Sequence, residues 1–208
     1  DVERLFSLYP ITDSIVSSVA NIEPAVVNAL HRLSKHFILF DHLTPLPIAN
    51  YYQTPDTLGH DRIASAVGAS YLCPDKNLLI VDAGSAVTYD FVSADRRFMG
   101  GNIAPGIKMR LTALNQMTKR LPKVEVEPDA LTPLFGKNTK EAMAAGVVRG
   151  LVFEVKGYMR SLKEQKIVFK TYITGGHAPY ILNAMKQKEV VGEPHLVLIG
   201  LNRILSSL

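Results

Sequence analysis

The apolar positions along the chain change period several times, and each change marks an element. Val2, Leu5 and Phe6 read as the end of a helix, which implies sequence upstream of Asp1. Ser14 to Val19 is a short β-branched run, the pattern of a strand. Asn21-Ile22-Glu23-Pro24 puts a capping type, an acid and a proline at the start of a helix. Its apolar residues Val26, Val27, Leu30 and Leu33 follow at helical spacing. Phe37 to Phe40 predicts a second strand, and Pro45 and Pro47 hold the next stretch extended. Leu58 to Leu72 predicts a helix, with Ala64, Ala66, Gly68 and Ala69 small enough for close packing.

A three-strand meander follows. Leu78 to Val81 is a buried strand, Asp82 to Ser85 a turn, and Ala86 to Val92 a second strand. In that second strand Val87, Tyr89 and Phe91 alternate with Thr88 and Asp90. After a turn over Ser93 to Arg96, the third strand runs from Arg97 to Ile103, and Pro105-Gly106 opens a helix to about Met117. Pro122 to Leu134 is a Pro- and acid-rich loop, and Asn138 to about Leu162 is a long helix rich in Ala and Gly. Lys170 to Thr174 is a strand that runs into Gly175-Gly176 and a helix near Pro179 to Met185. Leu196 to Ile199 predicts a closing strand and Leu201 to Leu205 a closing helix. Strands and helices alternate around one meander, which argues α/β with a mixed sheet.

Composition narrows the class. Of 208 residues, 47% are apolar and 20% charged, ordinary for a chain that buries a sizeable core as one large domain or two small ones. The apolar runs are strand-length, so no transmembrane helix and no membrane partner are expected. The polar start Asp1-Val2-Glu3-Arg4 does not read as a signal peptide. The single cysteine, Cys73, has no intramolecular partner for a disulfide and fits a reducing, cytoplasmic compartment. The net charge of +4 is spread without a basic run or interleaved aromatics, so nucleic acid is not the expected partner. A protein that handles phosphates and a carboxylate substrate explains the sign equally well.

Several stretches carry chemistry, each beside a plainer reading. Asp82-Ala83-Gly84-Ser85-Ala86-Val87-Thr88 ends an apolar strand on a carboxylate, which is costly unless it is paired or binds a cation. With Gly84 at the turn and hydroxyls at Ser85 and Thr88 it makes a phosphate- and cation-binding hairpin, or else an ordinary turn with a capping Asp. Gly59-His60-Asp61-Arg62 opens a helix whose free N–H groups suit an anion. Arg62 there grips a carboxylate and Asp61 accepts a proton from an alcohol, or both are a first-turn acid and a solvated base. Gly100-Gly101-Asn102-Ile103-Ala104-Pro105-Gly106 suits backbone approach to a ligand, or a bulge and loop. Ile173-Thr174-Gly175-Gly176-His177 offers flat backbone to a nucleotide, or a tight strand-to-helix turn. Asn138 and Glu141 resemble a capping box, which leaves the Thr139 hydroxyl unexplained. The six histidines show no zinc spacing, and no motif supports covalent catalysis.

Taken in order, Tyr52, Pro55, Leu58 to Arg62, Asp82 to Ala86, Gly100 to Gly106, Asn138-Thr139, Thr174 to Gly176 and Leu198 to Asn202 resemble the type III pantothenate kinases. The match runs from about residue 13 to the end. The resemblance implies an actin-like fold of two ribonuclease-H-like subdomains with mixed sheets, here residues 1–75 and 76–208. It implies transfer of the ATP γ-phosphoryl group to the primary hydroxyl of pantothenate, in a homodimer. Asp61 would be the general base. Gly59, His60, Arg62 and Tyr52 would hold pantothenate, with Thr139 reaching it across the dimer. Asp82 would bind a monovalent cation, K⁺ or NH4⁺. Gly84 and Ser85 would meet ATP, which comes with Mg²⁺, and Gly175 and Gly176 would lie against it. Position 85 is Ser where the family usually has Thr. The family's first phosphate motif, Asp-x-Gly-Asn-Thr, would lie upstream of Asp1. Two other readings stand beside this one: a non-catalytic nucleotide-binding regulator of the same fold, and a kinase for another small carboxylate or sugar.

Overall fold

The computed structural model describes residues 2–18, 22–127, 132–185 and 189–208. The expected strand end at Val19, the expected cap Asn21 and positions 128–131 of the expected loop lie outside the described residues. Helix α1 (Val2–Leu8) precedes strand β1 (Asp13–Val16). Helix α2 (Pro24–Leu33) carries its proline in the first turn, where no N–H is needed. It leads to β2 (His36–Leu39), which pairs parallel to β1 with Ser14 opposite Phe37.

The remaining elements are β3 (Ala49–Asn50), α3 (His60–Leu72), β4 (Asn77–Ala83), β5 (Ala86–Val92), β6 (Arg97–Pro105), α4 (Ile107–Gln116), α5 (Thr139–Glu164), β7 (Phe169–Thr174), α6 (Ala178–Ala184), β8 (Val190–Gly192) and α7 (Leu196–Leu205). Their strands form a six-stranded sheet in the order β3-β6-β5-β4-β7-β8. The meander β4-β5-β6 is antiparallel, and β7 and β8 add to it in parallel. The mixed α/β class expected from the pattern is the class observed.

Helices cover both faces of this sheet, and the period of two along each strand decides what faces which helix. Leu79, Val81 and Ala83 of β4 pack with Val87 and Tyr89 of β5 against α4, α5 and α6. Leu78 and Ile80 pack with Val92 and Phe98 against α3 and α7. Thr88 and Asp90, the polar half of the β5 alternation, are therefore buried on the α3 side rather than solvated.

One expectation is overturned. Leu196 to Ile199 is not a strand: it is the first turn of α7, continuous with Leu201 to Leu205. Gly200 does not break the helix but lets it cross α3. A β-carbon on Gly200 would lie 1.8 Å from the Ala64 carbonyl oxygen, and one on Gly68 would lie 2.4 Å from that of Leu196. Backbone meets backbone at this crossing, so the small residues expected in α3 do serve packing. The three-residue strand β8 carries no pattern of its own and had no counterpart in the sequence reading.

Candidate active site

Asp82 follows Leu78 and Ile80 by the strand period, so its side chain belongs to the face that α3 covers. Thr88 stands opposite it on β5. The N-terminal turn of α3 comes to the same place. Gly59 is its N-cap and has no side chain to occupy the first N–H groups. The Arg62 N–H donates to Asp61 Oδ1 at 2.8 Å. Asp61 itself is exposed, at the mouth of the site.

Arg62 points the other way and is 4% exposed, while Asp90 is 1% exposed. Its Nε donates to Asp90 Oδ1 at 3.0 Å and its Nη2 to the same oxygen at 2.5 Å. The guanidinium carbon lies 5.3 Å from the Tyr52 ring centre and 5.9 Å from that of Phe98. Burial works against the Arg62 charge, but the hydrogen bonds and charge of Asp90, with a further hydrogen bond to Tyr52, outweigh it and raise its pKa.

Asp82 has no such partner. No hydrogen bond reaches its carboxylate among the described residues. Burial, with repulsion from Asp61 and Asp90 added, pushes it up to about 6. Its Oδ1 lies against Gly175, where a β-carbon would come within 2.4 Å. Gly175 has φ +88, a conformation that favours glycine. The turn behind it is tied to the hairpin: the His177 N–H donates to the Ala83 carbonyl at 2.8 Å, and His177 Nδ1 lies 3.0 Å from the Gly84 carbonyl oxygen. Ser85 is exposed at the hairpin tip and Gly176 is exposed beside it. Next to this turn a cavity of about 460 Å³ opens between α4 and α6, lined among others by Ile107, Leu111, Asn115, Val124, His177 and Tyr180.

The fold thus brings together Tyr52, Gly59, His60, Asp61, Arg62 and Asp82, with Gly84, Ser85, Gly175 and Gly176 on the adjoining hairpin and turn. His60 stacks tilted on Phe40, at 5.1 Å between ring centres, and its Nδ1 is buried without a hydrogen bond. Thr139 lies elsewhere, in the first turn of α5, on an open cavity shared with Leu114, Leu121, Gly136, Asn138 and Met143. Asn138 caps that helix by accepting from the Glu141 N–H at 3.0 Å. Glu141 Oε2 reaches back to the Lys137 N–H, one residue before the box position. Asp90 was not among the residues singled out from the sequence. Its signal was a carboxylate in a strand of otherwise apolar neighbours.

A family model for type III pantothenate kinase matches residues 2–161. A type III pantothenate kinase of Phocaeicola vulgatus is 41% identical over 202 residues, 97% of this chain and 82% of that one. One from Bacteroides fragilis (strain ATCC 25285) is 38% identical over 205 residues, 99% of this chain and 83% of that one. A solved structure of a conserved Baf family protein from Campylobacter jejuni matches with a TM-score of 0.62. It is 23% identical and covers 99% of this chain and 87% of its own, a likeness that speaks for the fold alone.

Proposed function

The chain belongs to the type III pantothenate kinase family, and from that premise we propose how its residues divide the work of phosphorylating pantothenate. The enzyme transfers the γ-phosphoryl group of ATP to the substrate hydroxyl, the first step towards coenzyme A. Such a transfer asks for positioning and charge neutralisation more than for covalent chemistry. Asp61 accepts the proton of the primary hydroxyl as the new O–P bond forms and the bond to the ADP oxygen breaks. The observation that carries this is its place: an exposed carboxylate in the first turn of α3, held by the Arg62 N–H and near enough to Asp82 of the hairpin to repel its charge.

Pantothenate enters with its carboxylate towards the α3 N–H groups at Gly59 and His60 and towards Arg62, with Tyr52 as a wall. Ser85 and Gly84 take the phosphates of ATP. Gly175 and Gly176 lie under the nucleotide, with Mg²⁺ arriving on ATP. Asp82 fits a monovalent cation, K⁺ or NH4⁺, because it is a desolvated carboxylate with two others nearby and no donor bound to it. When bound, that cation supplies positive charge beside the phosphates. Asp82 keeps the charge that holds it, and Gly175 fixes the direction of its carboxylate.

Thr139 reaches pantothenate from the other subunit of a homodimer. The face of α5 that fits such a dimer carries Gly146 and Gly157, where added β-carbons would meet nothing within 4 Å, and Phe153, 54% exposed. A metabolic kinase of this kind works in the cytoplasm. The test is ATP-dependent phosphorylation of pantothenate by the intact protein, with and without K⁺. Product that depends on K⁺ supports the whole reading. Product without any monovalent cation removes that role from Asp82, and no product from folded protein overturns the kinase assignment.

A further inference from the structure

We propose that Asp90 is a positioning residue of this kinase: it locks the Arg62 side chain and, through the Arg62 backbone, the Asp61 carboxylate in the geometry that receives pantothenate. The inference rests on the roles given above to Asp61 and Arg62. A guanidinium this deeply buried is too costly without a counter-charge, so Arg62 goes where Asp90 is. Asp90 takes Nε and Nη2, and Tyr52 adds a further side-chain hydrogen bond to the guanidinium. The Tyr52 and Phe98 rings lie against the guanidinium, 5.3 and 5.9 Å from its carbon. The same residue's N–H holds Asp61 Oδ1. One arginine therefore carries the substrate grip on its side chain and the orientation of the base on its backbone, and Asp90 anchors it.

The opposite strand is shaped around this pair. Asp90 stands across from Gly101 on β6. A β-carbon at Gly101 would lie 2.1 Å from Asp90 Oδ1, 2.4 Å from the Tyr89 carbonyl oxygen and 2.9 Å from Arg62 Nη2. The next residue back, Gly100, has φ +120 at the register shift between Phe91 and Val92. Of the two glycines, Gly100 makes the bulge and Gly101 leaves the space into which Arg62 extends. The pair of glycines serves Arg62 rather than a direct approach of backbone to ligand.

A merely structural ion pair would affect both substrates alike, so the test separates them. Asp90→Asn keeps the shape and removes the charge. We expect the KM for pantothenate to rise about tenfold or more while the KM for ATP stays within about twofold. Combined with Arg62→Gln, it should add little to the loss caused by Arg62→Gln alone, because both act through one interaction. Gly101→Ala disturbs the same pair from β6 with both charges retained, and should raise the same KM. Equal effects on both substrates, no effect, or full additivity with Arg62→Gln would overturn the proposal. So would failure of both Asp90→Asn and Gly101→Ala to fold, which would make the pair structural only. Wild-type protein inactive on pantothenate would instead remove the kinase reading on which the inference stands.

Discussion

The Asp82 carboxylate rests directly on the backbone of Gly175: a β-carbon there would lie 2.4 Å from Oδ1 and 2.7 Å from the Ala83 carbonyl. One contact thus joins the candidate cation ligand on β4 to the turn that follows β7. Gly175→Ala should displace Asp82 and strain a residue held at φ +88, with a stability loss of roughly 1–3 kcal/mol. Steady-state kinetics should show weaker activation by K⁺ and a raised KM for ATP. Unchanged K⁺ activation in a folded Gly175→Ala variant would show that this contact does not set the cation site.

The pKa of Asp82 gives a pH dependence with a definite sign. The ordinary value of 3.8 is raised to about 6 in the fold. This group's contribution to stability is therefore fully present below about 3.8 and is lost as pH rises through about 6. Without K⁺, Asp82→Asn should stabilise the protein at pH 7–8 by roughly 1–3 kcal/mol, a gain that vanishes near pH 4. On the proposed role of Asp82 a monovalent cation needs the ionised carboxylate, so the K⁺ concentration for half-activation should rise as pH falls below about 6, by up to about tenfold per unit. Thermal melts across pH, with and without KCl, check both statements.

The α3–α7 crossing should be the point of the core least tolerant of bulk. Gly200→Ala would force a β-carbon to within 1.8 Å of the Ala64 carbonyl oxygen, where backbone has no room to yield. We expect a loss of roughly 2–4 kcal/mol in urea unfolding, against under about 1 kcal/mol for Gly150→Ala, whose added carbon meets only Arg110 Nη1 at an ordinary 3.9 Å. Similar midpoints for the two variants would contradict this packing.

Much of the architecture was legible because it rests on local signals. The meander β4-β5-β6 was marked by strand-length apolar runs separated by Gly and Asp turns, and α5 by its Asn138 cap and its long Ala- and Gly-rich run. The end of the chain was not. Leu196 to Ile199 is too short a run for its period to separate strand from helix, and the reason for Gly200 inside α7 lies in another helix. At the site, Asp61 and Asp82 stood out because each sits beside Gly at an element boundary. Asp90 did not, because alternation alone reads a polar strand position as facing water. Only the placement of α3 across the sheet turns that position inward and gives it Arg62.

If Asp61 takes the proton of the pantothenate hydroxyl, Asp61→Asn should cost turnover and leave ATP binding intact. The variant keeps the shape of the residue, and its amide keeps an oxygen to accept from the Arg62 N–H. We predict that kcat for pantothenate phosphorylation falls by roughly 10²–10⁴-fold while the Kd for ATP, measured by calorimetry, stays within about twofold. A folded Asp61→Asn enzyme that turns over at near the wild-type rate would remove Asp61 from this role and move the base to another residue.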